Sequence, residues 1–130
     1  MPRILVIDDQ PHVRATISLV LQAKGYTVVS CDNGSNGLIE FENGAFDIAI
    51  VDIFMPGLDG AKLIKMMRGR RPDLPIIAIS GVLMKRSGRT ALDFLSMSPD
   101  LSNVVCLAKP FRPSELLMAI ERATAAVRAA

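Results

Sequence analysis

Positions 48–52 read Ile-Ala-Ile-Val-Asp, a continuous apolar run that ends in a carboxylate. Because no polar residue alternates with the apolar ones, the run predicts a strand that is buried on both faces, as in a parallel sheet. Comparable runs occupy positions 4–7, 76–79 and 104–108, and a weaker one occupies positions 27–29. Five strands are therefore predicted.

Residues with helical spacing fill the segments between the predicted strands. Val13, Ile17 and Leu21 would share one face of a first helix, and Gly25 stands where a C-terminal cap is expected. Four further helices are predicted around residues 38–39, 63–67, 91–95 and 116–127. Five strands that alternate with five helices predict one doubly wound α/β domain over residues 1–130, with a helical or frayed tail from about residue 124.

The composition narrows the class of protein. Half of the 130 residues are hydrophobic, which suffices for a buried core, and the net charge of +2 leaves no basic excess for nucleic acid. No apolar run approaches the roughly 18 residues of a membrane helix, and the N-terminus does not read as a signal peptide. We therefore expect a cytoplasmic protein with neither direct DNA binding nor a membrane anchor. Cys31 and Cys106 lie in strand-like runs, so buried thiols are expected rather than a disulfide or a metal pair.

Polar side chains follow four of the five predicted strands, always at the same end. Asp8 and Asp9 follow the first strand, whereas Asp52, Ser80 and Lys109 follow the third, fourth and fifth strands. The carboxyl ends of the strands in an open parallel sheet lie at one edge, where ligands bind at a topological switch point. These side chains are therefore expected to converge.

The carboxylates at this edge need a positive partner, since each pair would repel by about 4 kcal/mol at about 4 Å and an effective dielectric constant near 20. Either one carboxyl group stays protonated or a cation lies among them, and oxygen ligands with open positions suit Mg²⁺. Lys109 would supply a positive charge for a phosphoryl oxygen, and Ser80 would supply a hydroxyl donor. Together these groups predict a site that accepts a phosphoryl group, as an aspartyl phosphate on Asp52.

Four motifs, in this order along the chain, resemble response-regulator receiver domains. They are Ile-Asp-Asp at 7–9, Val-Asp-Ile-Phe-Met-Pro-Gly-Leu-Asp-Gly at 51–60, Ile-Ser at 79–80 and Leu-Ala-Lys-Pro-Phe at 107–111. The resemblance extends from about residue 2 to about residue 125. It implies a flavodoxin-like fold with the strand order 2-1-3-4-5, and phosphoryl transfer from a histidine kinase or a histidine phosphotransfer protein.

The resemblance also implies a role for each residue at the acidic end of the site. Asp52 resembles the phosphoacceptor. Asp8 and Asp9 resemble the acid pair that holds Mg²⁺ together with Asp52, and the backbone carbonyl of Phe54 resembles a further ligand. Phe54 and Val82 are both apolar, so we expect them to keep water from an acyl phosphate on Asp52 and to prolong its life.

At the other end of the site the chain departs from the family. Ser80 and Lys109 resemble the pair that contacts the phosphoryl group, and Lys109–Pro110 resembles the family's cis peptide bond. The family's switch pairs the position of Ser80 with an aromatic residue three before the lysine, but here that residue is Cys106. The stretch between Ser80 and Lys109 is also several residues longer than usual. We therefore expect residues 81–102 to report phosphorylation in place of an aromatic ring.

The sequence leaves three candidate functions, which are a signalling switch, a phosphohydrolase and an inert interaction module. In a signalling switch the output would pass to a downstream protein partner or along a relay, because the chain ends soon after the fifth helix. The protein would act as a monomer or as a phosphorylation-dependent dimer. A phosphohydrolase similar to haloacid dehalogenases would need a second Asp two residues after the nucleophile, where this chain has Phe54. An inert receiver-like module would not need the acidic residues and Lys109. We therefore expect a phosphoacceptor and not an enzyme, with at most slow self-phosphorylation from small donors and slow self-dephosphorylation.

Overall fold

A five-stranded parallel sheet forms the centre of the computed structural model, which describes residues 2–55, 60–81 and 103–129. Its strands are β1 (Arg3–Ile7), β2 (Thr27–Cys31), β3 (Ile48–Asp52), β4 (Ile76–Ser80) and β5 (Val105–Ala108). They lie in the order β2-β1-β3-β4-β5, and every neighbouring pair is parallel. This arrangement confirms the doubly wound, flavodoxin-like sheet.

Four helices lie within the described part of the chain. They are α1 (Pro11–Ala23), α2 (Gly34–Asn43), α3 (Gly60–Arg70) and α4 (Pro113–Ala129). The helix predicted around residues 91–95 lies outside the described residues, as does all but Gly81 of the stretch at 81–102 that we expect to report phosphorylation. None of the described helices is both long and apolar enough to span a membrane.

Both faces of the sheet are buried, as the continuous apolar runs predict. Alternate side chains of a strand point to opposite faces, so each strand contributes to two clusters. On one face Leu5 and Val51 pack with Phe41 of α2 and Ile64 of α3. On the other face the strands contribute Ile4, Val6, Ile50, Ile77 and Ile79, and the helices contribute Ile17 and Leu21 of α1 and Leu116 and Ile120 of α4.

Helix α1 ends in the cap that its sequence predicts. Gly25 has φ 91°, a conformation that side chains other than glycine rarely adopt. The amide of Gly25 donates to the carbonyl of Gln22 at 3.0 Å, and that of Tyr26 donates to the carbonyl of Leu21 at 3.1 Å. These two bonds form a Schellman motif, which turns the chain from α1 into β2.

A second glycine brings α3 against the end of β3. A Cβ atom placed on Gly60 would lie 2.3 Å from the carbonyl oxygen of Asp52 and 2.4 Å from Cα of Ile53. Both are backbone atoms, so no side-chain rotation could relieve the overlap. The absence of a side chain at Gly60 therefore lets the first turn of α3 approach the strand end that carries Asp52.

The two cysteines are free thiols, as expected. Cys31 ends β2 and is buried, whereas Cys106 lies in β5 and is only partly buried. Because β2 and β5 are the opposite edges of the sheet, the order of the strands keeps the two thiols apart.

Candidate functional site

The carboxyl edge of the sheet brings the predicted polar residues together. Asp8 and Lys109 directly follow β1 and β5, while Asp52 and Ser80 are the last residues of β3 and β4. The register pairs Asp52 with Ile79 and Ser80 with Ala108, so these ends stand at a similar level. The convergence follows from the parallel topology, because all strands finish on the same side.

Three carboxylates form a cluster at this edge. Asp8, Asp9 and Asp52 each offer an oxygen within 4.8 Å of the other two. Asp8 is 0% exposed and Asp52 is 3% exposed, whereas Asp9 lies closer to solvent. Burial weakens the screening of their mutual repulsion, so the cluster needs nearby positive charge.

Lys109 supplies part of that charge from the opposite side of the cluster. Its Nζ lies 2.7 Å from Oδ2 of Asp8 and 3.1 Å from Oδ2 of Asp52. The ammonium donates a hydrogen bond to Asp52 and another, of 2.9 Å, to Oε1 of Gln10. The contact with Asp8 is close but lacks hydrogen-bond geometry, since Oδ2 of Asp8 has no hydrogen-bond partner among the described residues. Lys109 therefore forms ion pairs with both buried carboxylates.

The donor set fits a divalent metal ion. Carboxylate oxygens are the ligands that Mg²⁺ prefers, and Mg²⁺ sites in phosphoryl-transfer proteins use one or two carboxylates and keep several waters. Oδ2 of Asp8 is a buried carboxylate oxygen that pairs with the Lys109 ammonium at 2.7 Å but lacks a hydrogen bond, so it keeps lone pairs that a metal ion could use. Asp8, Asp9 and Asp52 are thus chemically suited to hold Mg²⁺.

The environment shifts the pKa of two of these groups. Burial raises the pKa of Asp52 above its ordinary value, and this effect outweighs the opposing influence of the Phe54 amide and of Lys109. Burial would lower the pKa of Lys109, but its contacts with Asp8 and Asp52 more than compensate and raise it. Lys109 is therefore a cation, and added positive charge nearby would favour the ionised form of Asp52.

Backbone and side-chain donors orient the two buried carboxylates. The amide of Phe54 donates to Oδ1 of Asp52 at 2.9 Å, and the amide of Gln10 donates to Oδ1 of Asp8 at 2.8 Å. Nη1 of Arg14 donates to the backbone carbonyl of Asp8 at 2.7 Å. These bonds leave the Oδ2 atoms of both carboxylates directed toward Lys109.

Gln10 and Arg14 were missed by reasoning from the sequence. Gln10 lies 99 residues from Lys109, the residue that its side chain contacts, so no local pattern could have indicated the bond. Arg14 lies six residues after Asp8, on the first helix, and the position of a long basic side chain there was the only available signal.

The remaining predicted residues lie around the same edge. Ser80 is buried, and its backbone carbonyl accepts a 2.7 Å hydrogen bond from the amide of Lys109. The Lys109–Pro110 peptide bond is cis. Cys106 packs at the margin of the cluster that α2 and α3 cover, and Val82 lies outside the described residues.

A cleft of about 550 Å³ opens over Asp9, Asp52 and Lys109. Asp52, Lys109 and Gln10 contribute polar groups to it, whereas Phe54 and Phe111 contribute aromatic rings. Phe54 is 36% exposed, so its ring stands at the surface beside Asp52 and does not belong to the core. The cleft can receive a phosphoryl group at its charged floor and part of a donor molecule above it.

Comparison with known proteins finds one family that the chain resembles along most of its length. The model of the response regulator receiver domain matches residues 4–121. The response regulator receiver protein CpdR of Brucella abortus is 32% identical, over 94% of this chain and 96% of CpdR. The structure of the response regulator protein TrrA of Thermotoga maritima in complex with Mg²⁺-BeF superposes with a TM-score of 0.77 and 30% identity, covering 95% of this chain and 99% of that one.

Longer relatives contain a similar segment. The DNA-binding transcriptional regulator NtrC of Salmonella typhimurium is 30% identical over 91% of this chain, which covers 24% of NtrC. The chain spans half or less of the length of several other curated relatives. Their similarity therefore concerns one segment of each protein.

Proposed function

The chain belongs to the response regulator receiver domain family, whose function is phosphoryl acceptance in two-component signalling, and we propose that its phosphoacceptor is Asp52. The observation that carries the proposal is the position of Asp52 between Lys109, at 3.1 Å, and the acid pair Asp8 and Asp9. Asp8 shares the lysine contact and the carboxylate cluster. We choose Asp52 because it ends the central strand β3 and its motif at positions 51–60 resembles the family's phosphoacceptor segment.

The chemistry at Asp52 is a direct transfer. An oxygen of its carboxylate attacks the phosphorus of the donor, and a new O–P bond forms while the bond to the leaving group breaks. The leaving group departs with the bonding electron pair, and negative charge spreads over the three remaining phosphoryl oxygens. Lys109 neutralises part of this charge, and the hydroxyl of Ser80 would donate to one of those oxygens.

Mg²⁺ would be held by Asp8, Asp9 and Asp52 together with the backbone carbonyl of Phe54. When it is bound, it supplies positive charge for the phosphoryl oxygens. The amides of Gln10 and Phe54 keep Asp8 and Asp52 from rotating away from that position. Preorganised carboxylates of this kind reduce the reorganisation that the transfer requires.

The proposed partners follow from the acceptor chemistry. The phosphoryl donor would be a histidine kinase or a histidine phosphotransfer protein, and a downstream protein would recognise the phosphorylated form. The net charge of +2 supports neither direct DNA binding nor a strongly charged partner. A cytoplasmic location and a monomeric or phosphorylation-dependent dimeric state remain predictions from the sequence.

A hydrolytic enzyme is the weaker candidate. Its acid/base group would stand two residues after the nucleophile, and that position holds the apolar ring of Phe54 at the cleft surface. A phenyl ring can neither take nor give a proton, so turnover by that route is not expected.

One incubation separates the candidate functions. The protein is mixed with acetyl phosphate and Mg²⁺, and its phosphorylated fraction and the release of inorganic phosphate are followed together. Accumulation of an acid-labile phosphoprotein with little release supports the switch. Continuous release without accumulation would identify an enzyme, and the lack of either would identify an inert module.

A further inference from the structure

Gln10 contacts both halves of the site described above. Its backbone amide donates to Oδ1 of Asp8 at 2.8 Å, and its side-chain Oε1 accepts from Nζ of Lys109 at 2.9 Å. Lys109 in turn lies 2.7 Å from Oδ2 of Asp8. Gln10 therefore closes a ring of polar contacts that joins the end of β1 to the end of β5.

The side chain of Gln10 is not used by the helix that it precedes. Gln10 is the N-cap residue of α1, with φ −92° and ψ 115°, but its side chain makes no capping hydrogen bond. Shorter Ser, Thr, Asp or Asn side chains are the ones that normally cap a helix from this position. The longer side chain of Gln10 reaches beyond the helix end to Lys109 instead.

The acceptor that Gln10 offers differs from the other two around the ammonium. Asp8 and Asp52 are carboxylates that belong to the candidate metal cluster, so a bound cation would compete with Lys109 for these two side chains. Oε1 of Gln10 is a neutral amide oxygen and is not one of the three clustered carboxylates. It can therefore hold Lys109 while the carboxylates serve another cation.

We infer that Gln10 is a positioning residue that keeps the Lys109 ammonium beside the phosphoryl-accepting carboxylate of Asp52. The inference rests on the proposed function, in which Lys109 neutralises charge on the transferring phosphoryl group. Gln10 itself does not touch the reacting atoms. Gln10 orients the ammonium of Lys109, which lies at the end of a flexible side chain. Without Gln10, this ammonium would lose its contacts with the carboxylates when they bind a cation.

The experiment uses two substitutions at Gln10 and one matched control. Gln10→Met keeps the length of the side chain but removes its oxygen acceptor, whereas Gln10→Glu keeps an oxygen acceptor at the same position in the side chain. Gln22→Met makes the same chemical change at an exposed glutamine of the same helix, α1. Because the side chain of Gln10 does not cap α1, none of the three should alter folding, which a thermal melt checks.

The first readout is the Lys109 ammonium itself in the metal-free protein. Proton exchange of its ¹⁵N-labelled ammonium group, followed by NMR, should be slow in the wild type and in Gln22→Met. We expect exchange to become about threefold to tenfold faster in Gln10→Met, as for the loss of one exposed hydrogen bond of typical net strength, and to return toward the wild-type rate in Gln10→Glu. Unchanged exchange in Gln10→Met would overturn the inference.

The second readout separates positioning from metal binding. At saturating Mg²⁺, the rate of phosphorylation by acetyl phosphate should fall about threefold to tenfold in Gln10→Met and stay unchanged in Gln22→Met. The Kd for Mg²⁺ should stay within about twofold of wild type, because the backbone bond from Gln10 to Asp8 is kept. A Kd that weakens in parallel with the rate would place the effect on the acid pair and contradict the inference, as would an unchanged rate.

The two readouts also distinguish this inference from the proposed function. If wild-type protein is not labelled on Asp52, the proposed function fails, and ammonium exchange alone then decides whether Gln10 holds Lys109. If the wild type is labelled normally and Gln10→Met matches it in both readouts, only the role of Gln10 fails.

Discussion

Oδ2 of Asp8 and Nζ of Lys109 lie 2.7 Å apart at the carboxyl ends of the strands, where the side chain of Asp8 is fully buried and that of Lys109 is 12% exposed. The ammonium thus stands beside one of the three carboxylates that are suited to hold a divalent cation. A cation bound there would repel the ammonium, so we expect Lys109 to oppose metal binding.

Removal of the Lys109 ammonium should therefore tighten metal binding. We expect Lys109→Met to lower the Kd for Mg²⁺ by about tenfold, which corresponds to roughly 1.4 kcal/mol, while phosphorylation is lost or strongly slowed. Isothermal titration calorimetry measures the Kd. Lys65→Met, at an exposed lysine of α3, should leave both quantities unchanged. Weaker Mg²⁺ binding in Lys109→Met would show that the ammonium does not compete with the metal.

Mg²⁺ itself should bind at the three carboxylates. Titration with Mg²⁺ should shift the amide resonances of residues 8–9 and 52–55 more than any others, because Asp8, Asp9 and Asp52 share one site. Asp9→Ala should abolish most of these shifts. The matched control is Asp73→Ala, which removes an exposed carboxylate before β4, at the amino ends of the strands. Shifts that persist in Asp9→Ala would mean that the metal lies elsewhere.

Two glycines of α3 should respond in opposite directions to the same substitution. Gly60→Ala places a Cβ atom 2.3 Å from the carbonyl oxygen of Asp52, so we expect it to lower the free energy of unfolding by about 1–3 kcal/mol. Gly69→Ala meets no atom within 4 Å and should raise it by about 0.5–1 kcal/mol, because alanine favours the helix. Urea denaturation followed by circular dichroism compares the two. Equal effects would mean that α3 does not approach the end of β3 as closely as described.

The ring of Phe54 should prolong the life of the phosphoryl group. It lines the cleft beside Asp52, and an apolar group there can neither bind nor orient an attacking water. Phe54→Asn and Phe54→Glu should therefore speed the loss of phosphate from the isolated phosphoprotein, whereas Phe54→Leu, which stays apolar, should not. The decay is followed on phosphate-affinity gels after removal of the donor. Equal or slower decay in Phe54→Asn would count against shielding by the ring.

The sheet and the main site residues were predictable from local sequence because both leave local signals. The four strongest apolar runs mark buried strands, and the polar residues that end them fall at one edge of any parallel sheet. The apolar pattern predicts β2 only at positions 27–29, whereas the strand continues to Cys31. It is an edge strand with partly exposed side chains, so its sequence need not be continuously apolar.

Contacts between distant segments could not be predicted in the same way. Periodicity does not say which strands are neighbours, and the order of the sheet came from the resemblance to a family and not from the apolar pattern. The bond between Gln10 and Lys109 and the bond between Arg14 and the carbonyl of Asp8 depend on where loops and helix ends meet in three dimensions. The close packing of Gly60 on Asp52 likewise depends on tertiary structure, because the sequence indicated only a turn.

The most direct test of the account is the identity of the phosphorylated residue. The protein is phosphorylated with acetyl phosphate and Mg²⁺, the acyl phosphate is trapped by reduction with borohydride, and the modified residue is located by mass spectrometry. Asp52→Asn, which keeps the shape of the side chain but not its nucleophile, is compared with Asp47→Asn, just before the opposite end of the same strand. We predict modification at Asp52 alone, its complete loss in Asp52→Asn and its retention in Asp47→Asn. Comparable modification of any other residue in the wild type, or undiminished labelling of Asp52→Asn, would contradict the account.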